Sequence, residues 1–96
     1  MSLVFEWDSR KAQSNYAKHR ISFAEAASVF SNPLARIFAD QEHSADEFRE
    51  IIVGHSAAKQ LLLVSFAEMK PGRVRIISAR RANRVEHHDY EEYSAD

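Results

Sequence analysis

The 96-residue sequence is 45% hydrophobic and 28% charged, with a formal net charge of −1, two glycines, two prolines and no cysteine. Such a chain builds one modest core, and this composition excludes a disulfide framework, a thiolate metal centre, a cysteine nucleophile and a low-complexity or disordered chain. A near-neutral total excludes an all-over basic nucleic-acid binder, so an anionic ligand must be met by local charge segregation.

No apolar run approaches the roughly 20 residues that span a bilayer. Met1-Ser2-Leu3 runs straight into Glu6 and Asp8, unlike a signal peptide. The expected setting is the cytoplasm, with no membrane partner and a single domain over residues 1–96. Val4-Phe5-Glu6-Trp7 is rich in strand formers and reads as a short first strand, with Trp7 expected in the core. Asp8 or Ser9 can cap a helix over Ser9–His19, which carries Ala12, Tyr16 and His19 at helical spacing. Lys18, His19 and Arg20 complement the negative end of its dipole. Ser22 and Glu25 form a capping box for a second helix, Ile21 can staple onto Ala26, and Asn32-Pro33 stops it.

Leu34–Phe38 is a short strand, and Asp40–Asp46 a polar, acidic loop. Arg49–His55 and Gln60–Glu68 are strong strands joined by a turn at Ser56–Lys59. Leu61-Leu62-Leu63-Val64 is apolar at every position, which predicts a central strand covered on both faces. Lys70-Pro71-Gly72 is a turn, and Arg73–Ser78 is the next strand. Asn83-Arg84-Val85-Glu86 opens a last helix that ends near Tyr93. The order β-α-α-β-β-β-β-α predicts an α+β domain: an antiparallel meander sheet with an N-terminal helical hairpin and a C-terminal helix, the helices clustered on one face.

The charges are segregated along the chain. Lys70, Arg73, Arg75, Arg80, Arg81 and Arg84 follow one another without an acid between them. Glu86, Asp89, Glu91, Glu92 and Asp96 then crowd the end. A positive stretch between a strand and a helix suits an anionic ligand such as nucleic acid.

Phe5-Glu6-Trp7-Asp8, Lys11, Asn15, Lys18-His19, Phe23, Glu25-Ala26 and Val29-Phe30 resemble the N-terminal half of the BrnT family. Arg75-Ile76-Ile77-Ser78-Ala79-Arg80, with Ala82, Glu86, Tyr90 and Glu91-Glu92, is similar to its C-terminal half. The resemblance covers nearly the whole chain; it departs at Asn32 and at Val85, His87 and His88, where many relatives carry aspartate and arginines. It implies a RelE-like fold and the toxin of a type II toxin–antitoxin system, a ribonuclease that blocks translation. It further implies inhibition by a BrnA antitoxin with a ribbon-helix-helix domain, through which the pair reaches operator DNA.

Metal-free RNA cleavage uses the substrate's 2′-hydroxyl as nucleophile, so the protein must move protons and stabilise charge on phosphorus. His19 is the acid–base candidate, because imidazole titrates near neutrality; the competing reading is a cap on the helix end. Lys18 can contact phosphate, or simply be solvated. Arg80 is expected just past a strand end, where neither packing nor helix propensity asks for arginine, and its planar fork suits phosphate. An ion pair with Glu86 is the competing reading. Arg49 joins the site if its strand neighbours Arg73–Ser78. Arg75, Arg81 and Arg84 are RNA or antitoxin contacts in this reading and a solvated face in the other. Tyr90 stacks on a base or packs in the core.

No cofactor and no metal is expected. The sequence holds no His-x-x-x-His, and the adjacent His87 and His88 point about 100° apart on a helix. A serine nucleophile lacks its Gly-x-Ser-x-Gly turn. The alternative to the enzyme is a non-catalytic module of the same fold, binding an antitoxin or RNA without cleavage.

Overall fold

The structure, a computed structural model, describes residues 2–43 and 47–94. Met1, the end of the acidic loop (residues 44–46) and Asp96 of the acidic tail lie outside the described residues. The elements are β1 (Val4–Glu6), α1 (Ser9–His19), α2 (Phe23–Ser28), a 3-10 turn (Val29–Ser31), β2 (Arg36–Ala39), a second 3-10 turn (Gln41–His43), β3 (Glu50–His55), β4 (Leu61–Lys70), β5 (Arg73–Arg81) and α3 (Arg84–Ser94).

Local chemistry explains most of these boundaries. Asp8 caps α1, its Oδ1 accepting the N–H groups of Arg10 at 2.8 Å and Lys11 at 3.2 Å. Arg20 closes α1 in the left-handed region at φ 59°, where its N–H donates to the Tyr16 carbonyl at 2.8 Å. Ser22 Oγ accepts the Glu25 N–H at 3.0 Å to start α2, and both Ile21 and Ala26 are fully buried. Pro71-Gly72 turns β4 into β5, Gly72 supplying φ 84°. Asn83 and Glu86 make both reciprocal capping bonds of α3, each 2.9 Å.

The sheet has five strands in the order β1-β5-β4-β3-β2. β2 to β5 form the expected antiparallel meander, with β4 at the centre. The sheet is nevertheless mixed, because β1 pairs parallel to β5, Phe5 opposite Val74. After β1 the chain crosses one face through α1 and α2 to the far edge, and three reversals return β5 alongside β1 in the same direction. A three-residue strand carries no local signal of that distant pairing.

The helices are not clustered on one face. Ile21, Phe23, Ala26 and Val29 pack on Leu62, Val64, Phe66, Val74 and Ile76. On the opposite face Tyr90 of α3 packs with Val53 and Leu61, and Ile51, Leu63 and Ala82 join them. The physical reason is the apolar run in β4: both its faces need cover, and helices on one side cannot supply it. Two further expectations change. Trp7 is 41% exposed, its ring meeting Phe23 edge-on at 5.9 Å from the rim of the core. The buried residue of α1 is Asn15, whereas Tyr16 is exposed and stacks under Arg20. No helix among the described residues is long and apolar enough to cross a membrane.

Candidate active site

A bulge in β5 sets the geometry of the site. Before it, Val74 and Ile76 point into the α1–α2 core, so Arg73 and Arg75 belong to the α3 face. Ser65 pairs with Ser78 but Phe66 pairs with Ile76, leaving Ile77 as the extra residue. The phase therefore flips, and beyond the bulge Ala79 is in the α1–α2 core while Ser78 and Arg80 turn to the α3 face. Strict alternation would have put Arg75 and Arg80 on opposite sides of the sheet. The bulge puts them on one side.

β5 also runs to Arg81. Arg80 thus lies within the strand and not beyond its end, which corrects the expectation above. Strand pairing persists because Leu63 lies opposite Arg80 and Leu62 opposite Arg81.

On the α3 face, beside the helix, lies a cleft of about 410 Å³ lined by His19, Asp40, His43, Arg49, Ser78 and Arg80, among others. His19, Arg49 and Arg80 are thereby brought together from the end of α1, the approach to β3 and β5. Arg49 reaches the cleft although β4 separates β3 from β5, so direct strand adjacency was not the requirement. Lys18 is exposed and does not line the cleft.

The end of α1 that carries His19 is held by Asn15 and by Arg81. Asn15, one turn earlier, accepts the Ala79 backbone N–H at 3.0 Å and donates to the Ile21 carbonyl at 3.0 Å. This buried amide fixes the end of α1 against the edge of β5. Arg81 donates to the His19 carbonyl at 3.1 Å and to Gln60. Gln60 in turn donates to Glu25 at 2.8 Å, and Glu25 also accepts the Ser56 hydroxyl at 2.7 Å. Arg81 therefore faces α1 and α2, and it acts on the cleft through the backbone of His19.

The cleft arginines are carboxylate-bound. Arg80 donates to Glu86 through Nη1 at 2.8 Å and Nη2 at 2.7 Å. These hydrogen bonds hold the Glu86 carboxyl below the ordinary carboxylate range and raise Arg80 above its own ordinary value. Arg75 donates to Glu47, and Arg49 Nε lies 3.4 Å from the same carboxylate. The Arg75 hydrogen bond, aided by Arg49, holds Glu47 below its usual range.

Tyr90 is 7% exposed and its hydroxyl donates to the Leu34 carbonyl at 2.9 Å. Its ring is part of the core under α3 and is not offered to a base, contrary to the RNA-stacking expectation. Arg84 is exposed on the first turn of α3 and outside the cleft lining.

Sequence reading passed over Asn15, Glu47, Asp40 and His43 as parts of the site. Asp40 and His43 carried a faint signal, an aspartate and a histidine three residues apart. Their carboxylate and Nδ1 lie 3.1 Å apart. Among the described residues no three His, Cys, Asp or Glu side chains are grouped to hold a metal ion.

Chemically, the cleft offers two imidazoles, hydroxyls from Ser65 and Ser78, and two guanidinium groups. That set suits a phosphodiester, with cations for the phosphate and proton carriers for the oxygens. The sequence model of a family described as ribonuclease toxin, BrnT, of type II toxin–antitoxin system matches residues 7–86. The crystal structure of the Brucella abortus ribonuclease toxin BrnT superposes with a TM-score of 0.64 at 28% identity, over 88% of this chain and 99% of that one. No curated protein matches the sequence.

Proposed function

The chain belongs to the BrnT family of ribonuclease toxins of type II toxin–antitoxin systems, and from that premise we propose that it is a metal-independent endoribonuclease working in the His19–Arg49–Arg80 cleft. Family membership brings an antitoxin partner and an RNA substrate. The single observation that carries the mechanism is the convergence of His19, Arg49 and Arg80 from three separate stretches of the chain on one cleft.

The RNA 2′-oxygen attacks phosphorus and the bond to the 5′-oxygen breaks, leaving a 2′,3′-cyclic phosphate and a 5′-hydroxyl. Arg80 and Arg49 stabilise the charge that builds on the non-bridging oxygens, worth about 10²–10³-fold for each well-placed donor. His19 moves a proton, which contributes roughly 10²–10⁴-fold. Arg75 supports the phosphate side through Glu47, which it shares with Arg49. Lys18, Arg81 and Arg84 serve as outer contacts for RNA or antitoxin. The fold is read as RelE-like, the outcome in the cell as blocked translation, and the antitoxin as a BrnA-type ribbon-helix-helix protein that connects the pair to its operator.

The test is induced expression. Cells should arrest and their RNA degrade, purified protein should cleave RNA in EDTA, and Arg80→Ala should restore growth. Arrest that Arg80→Ala leaves untouched removes Arg80 from the site. The gene for a small ribbon-helix-helix protein beside this one supports the antitoxin assignment.

A second reading is favoured by one observation: Glu86 occupies both prongs of Arg80, and Glu47 engages Arg75 and Arg49. A cleft neutralised in this way suits a non-catalytic module that binds an antitoxin or RNA. Clean protein that captures its antitoxin but leaves RNA intact selects this reading.

A further inference from the structure

We propose that His43, anchored by Asp40, is the second proton-transfer group of the cleft and works with His19 on the same phosphodiester. This inference rests on the ribonuclease reading above and adds a residue and a division of labour to it.

The need for a second group is chemical. In-line displacement at phosphorus puts the attacking 2′-oxygen and the departing 5′-oxygen on opposite sides. One group must take the proton as the O–P bond forms, and another must deliver a proton as the other O–P bond breaks. A single imidazole cannot stand on both sides at once. Among the residues lining the cleft, only His19 and His43 have side chains that ordinarily titrate near neutrality.

The anchoring is structural. Asp40 follows β2 directly, and its backbone N–H donates to the Arg49 carbonyl at 2.9 Å, prolonging the β2–β3 contact. Its side chain is only 12% exposed. The 3-10 turn Gln41–His43 brings His43 back over Asp40, with Nδ1 3.2 Å from Oδ1 and 3.1 Å from Oδ2. With Nδ1 engaged, Nε2 is left for the substrate, and the ring remains accessible, its side chain 63% exposed. An exposed histidine three residues after an aspartate is by itself an ordinary surface pair. What distinguishes this one is that both residues line the cleft that holds His19, Arg49 and Arg80.

The proton balance closes. One imidazole accepts the 2′-hydroxyl proton and the other releases one to the 5′-oxygen, so the products are the cyclic phosphate and the 5′-hydroxyl. Solvent then restores the two rings. Among the described residues lining the cleft with His43, the charged groups are Asp40 and Glu42 on its own segment, Arg49 ahead of β3, Arg80 on β5 and His19 at the end of α1.

The experiment is single-turnover cleavage of a short RNA by the purified full chain in EDTA, from pH 5 to pH 9. Wild-type protein should give a bell-shaped profile. His43→Asn should slow cleavage by about 10²–10³-fold and leave a profile with one limb. Its urea midpoint should stay that of the wild type, because the ring is exposed. If His43→Asn cleaves like the wild type, or stays slow while keeping both limbs, His43 is not the second group; loss of cleavage in His19→Asn then leaves the wider ribonuclease reading standing. No cleavage by wild-type protein overturns both.

Discussion

Glu86 Oε1 accepts two hydrogen bonds at once, from Arg80 Nη1 at 2.8 Å and from the Asn83 backbone N–H at 2.9 Å, while its Oε2 accepts from Arg80 Nη2 at 2.7 Å. One carboxylate therefore caps α3 and grips the cleft arginine. The start of α3 and the aim of Arg80 are mechanically one feature, and a change to either residue is felt by the other.

Glu86→Gln keeps the capping geometry and removes the charge. It should lower stability by about 1 kcal/mol near neutral pH, a charged hydrogen-bonded pair discounted for its partial exposure. The pH dependence has a definite sign. Arg80 depresses the folded-state value of Glu86, so the contribution is fully present above the ordinary carboxylate value of about 4.3. It is lost as the pH falls through the lower folded value. Urea unfolding of wild type and variant should thus separate at pH 6 and converge in strong acid.

Arg80→Ala should reduce RNA cleavage by about 10²–10³-fold, read in the EDTA assay with a defined oligonucleotide. Arg80→Lys should recover only part of the loss, because an ammonium group has no planar fork for two parallel bonds. Full recovery by lysine would mean that charge alone matters at this position.

Asn15→Ala removes both bonds that fix the end of α1. The Ala79 N–H loses its acceptor and the Ile21 carbonyl its donor, at a cost of about 1–3 kcal/mol. Hydrogen exchange gives a sharper readout than denaturation: the Ala79 amide should lose protection ahead of the amides in the centre of β4.

Gly54→Ala tests the packing of β3. A Cβ there would lie 2.8 Å from Ala35 Cβ and 3.1 Å from Val29 Cγ1. Overpacking of this kind costs about 1–3 kcal/mol, visible as a lower urea midpoint. The backbone around Gly54 is ordinary extended strand, so the expected loss is steric and not conformational.

The parts of the fold that were legible in sequence are those fixed by neighbours in the chain. Asp8 and the basic run Lys18–Arg20 marked both ends of α1, and Asn83 with Glu86 marked the start of α3. The strand formers of Arg49–His55, the turn at Ser56–Lys59 and the doubly apolar run in β4 gave the meander and its centre. What escaped depends on distant partners. The parallel pairing of β1 follows from the path of the whole chain. The side taken by α3 follows from which face of β4 still lacked cover.

The site divides in the same way. Arg80 stood out because arginine was unexpected there in local terms, and His19 because an imidazole suits proton transfer; the structure brings both into the cleft. Lys18 stood beside His19 in sequence, yet the helix turns it away from the lining. The bulge at Ile77 is invisible in Arg75-Ile76-Ile77-Ser78-Ala79-Arg80, since only pairing with β4 shows which residue is extra. Tyr90 read as a possible base stacker because an aromatic on a helix looks the same whether it faces water or a sheet.

The short reach of β1 has a consequence for behaviour in solution. β1 pairs only with Arg73–Arg75, so among the described residues the remainder of β5 has no strand on the side away from β4. Exposed strand edges recruit other chains into non-native sheets. Here the side chain of Asn15 takes the place of a strand at Ala79, and the end of α1 lies along that border. A single amide thus shields the edge from intermolecular pairing, and self-association should rise in its absence before the protein loses its fold.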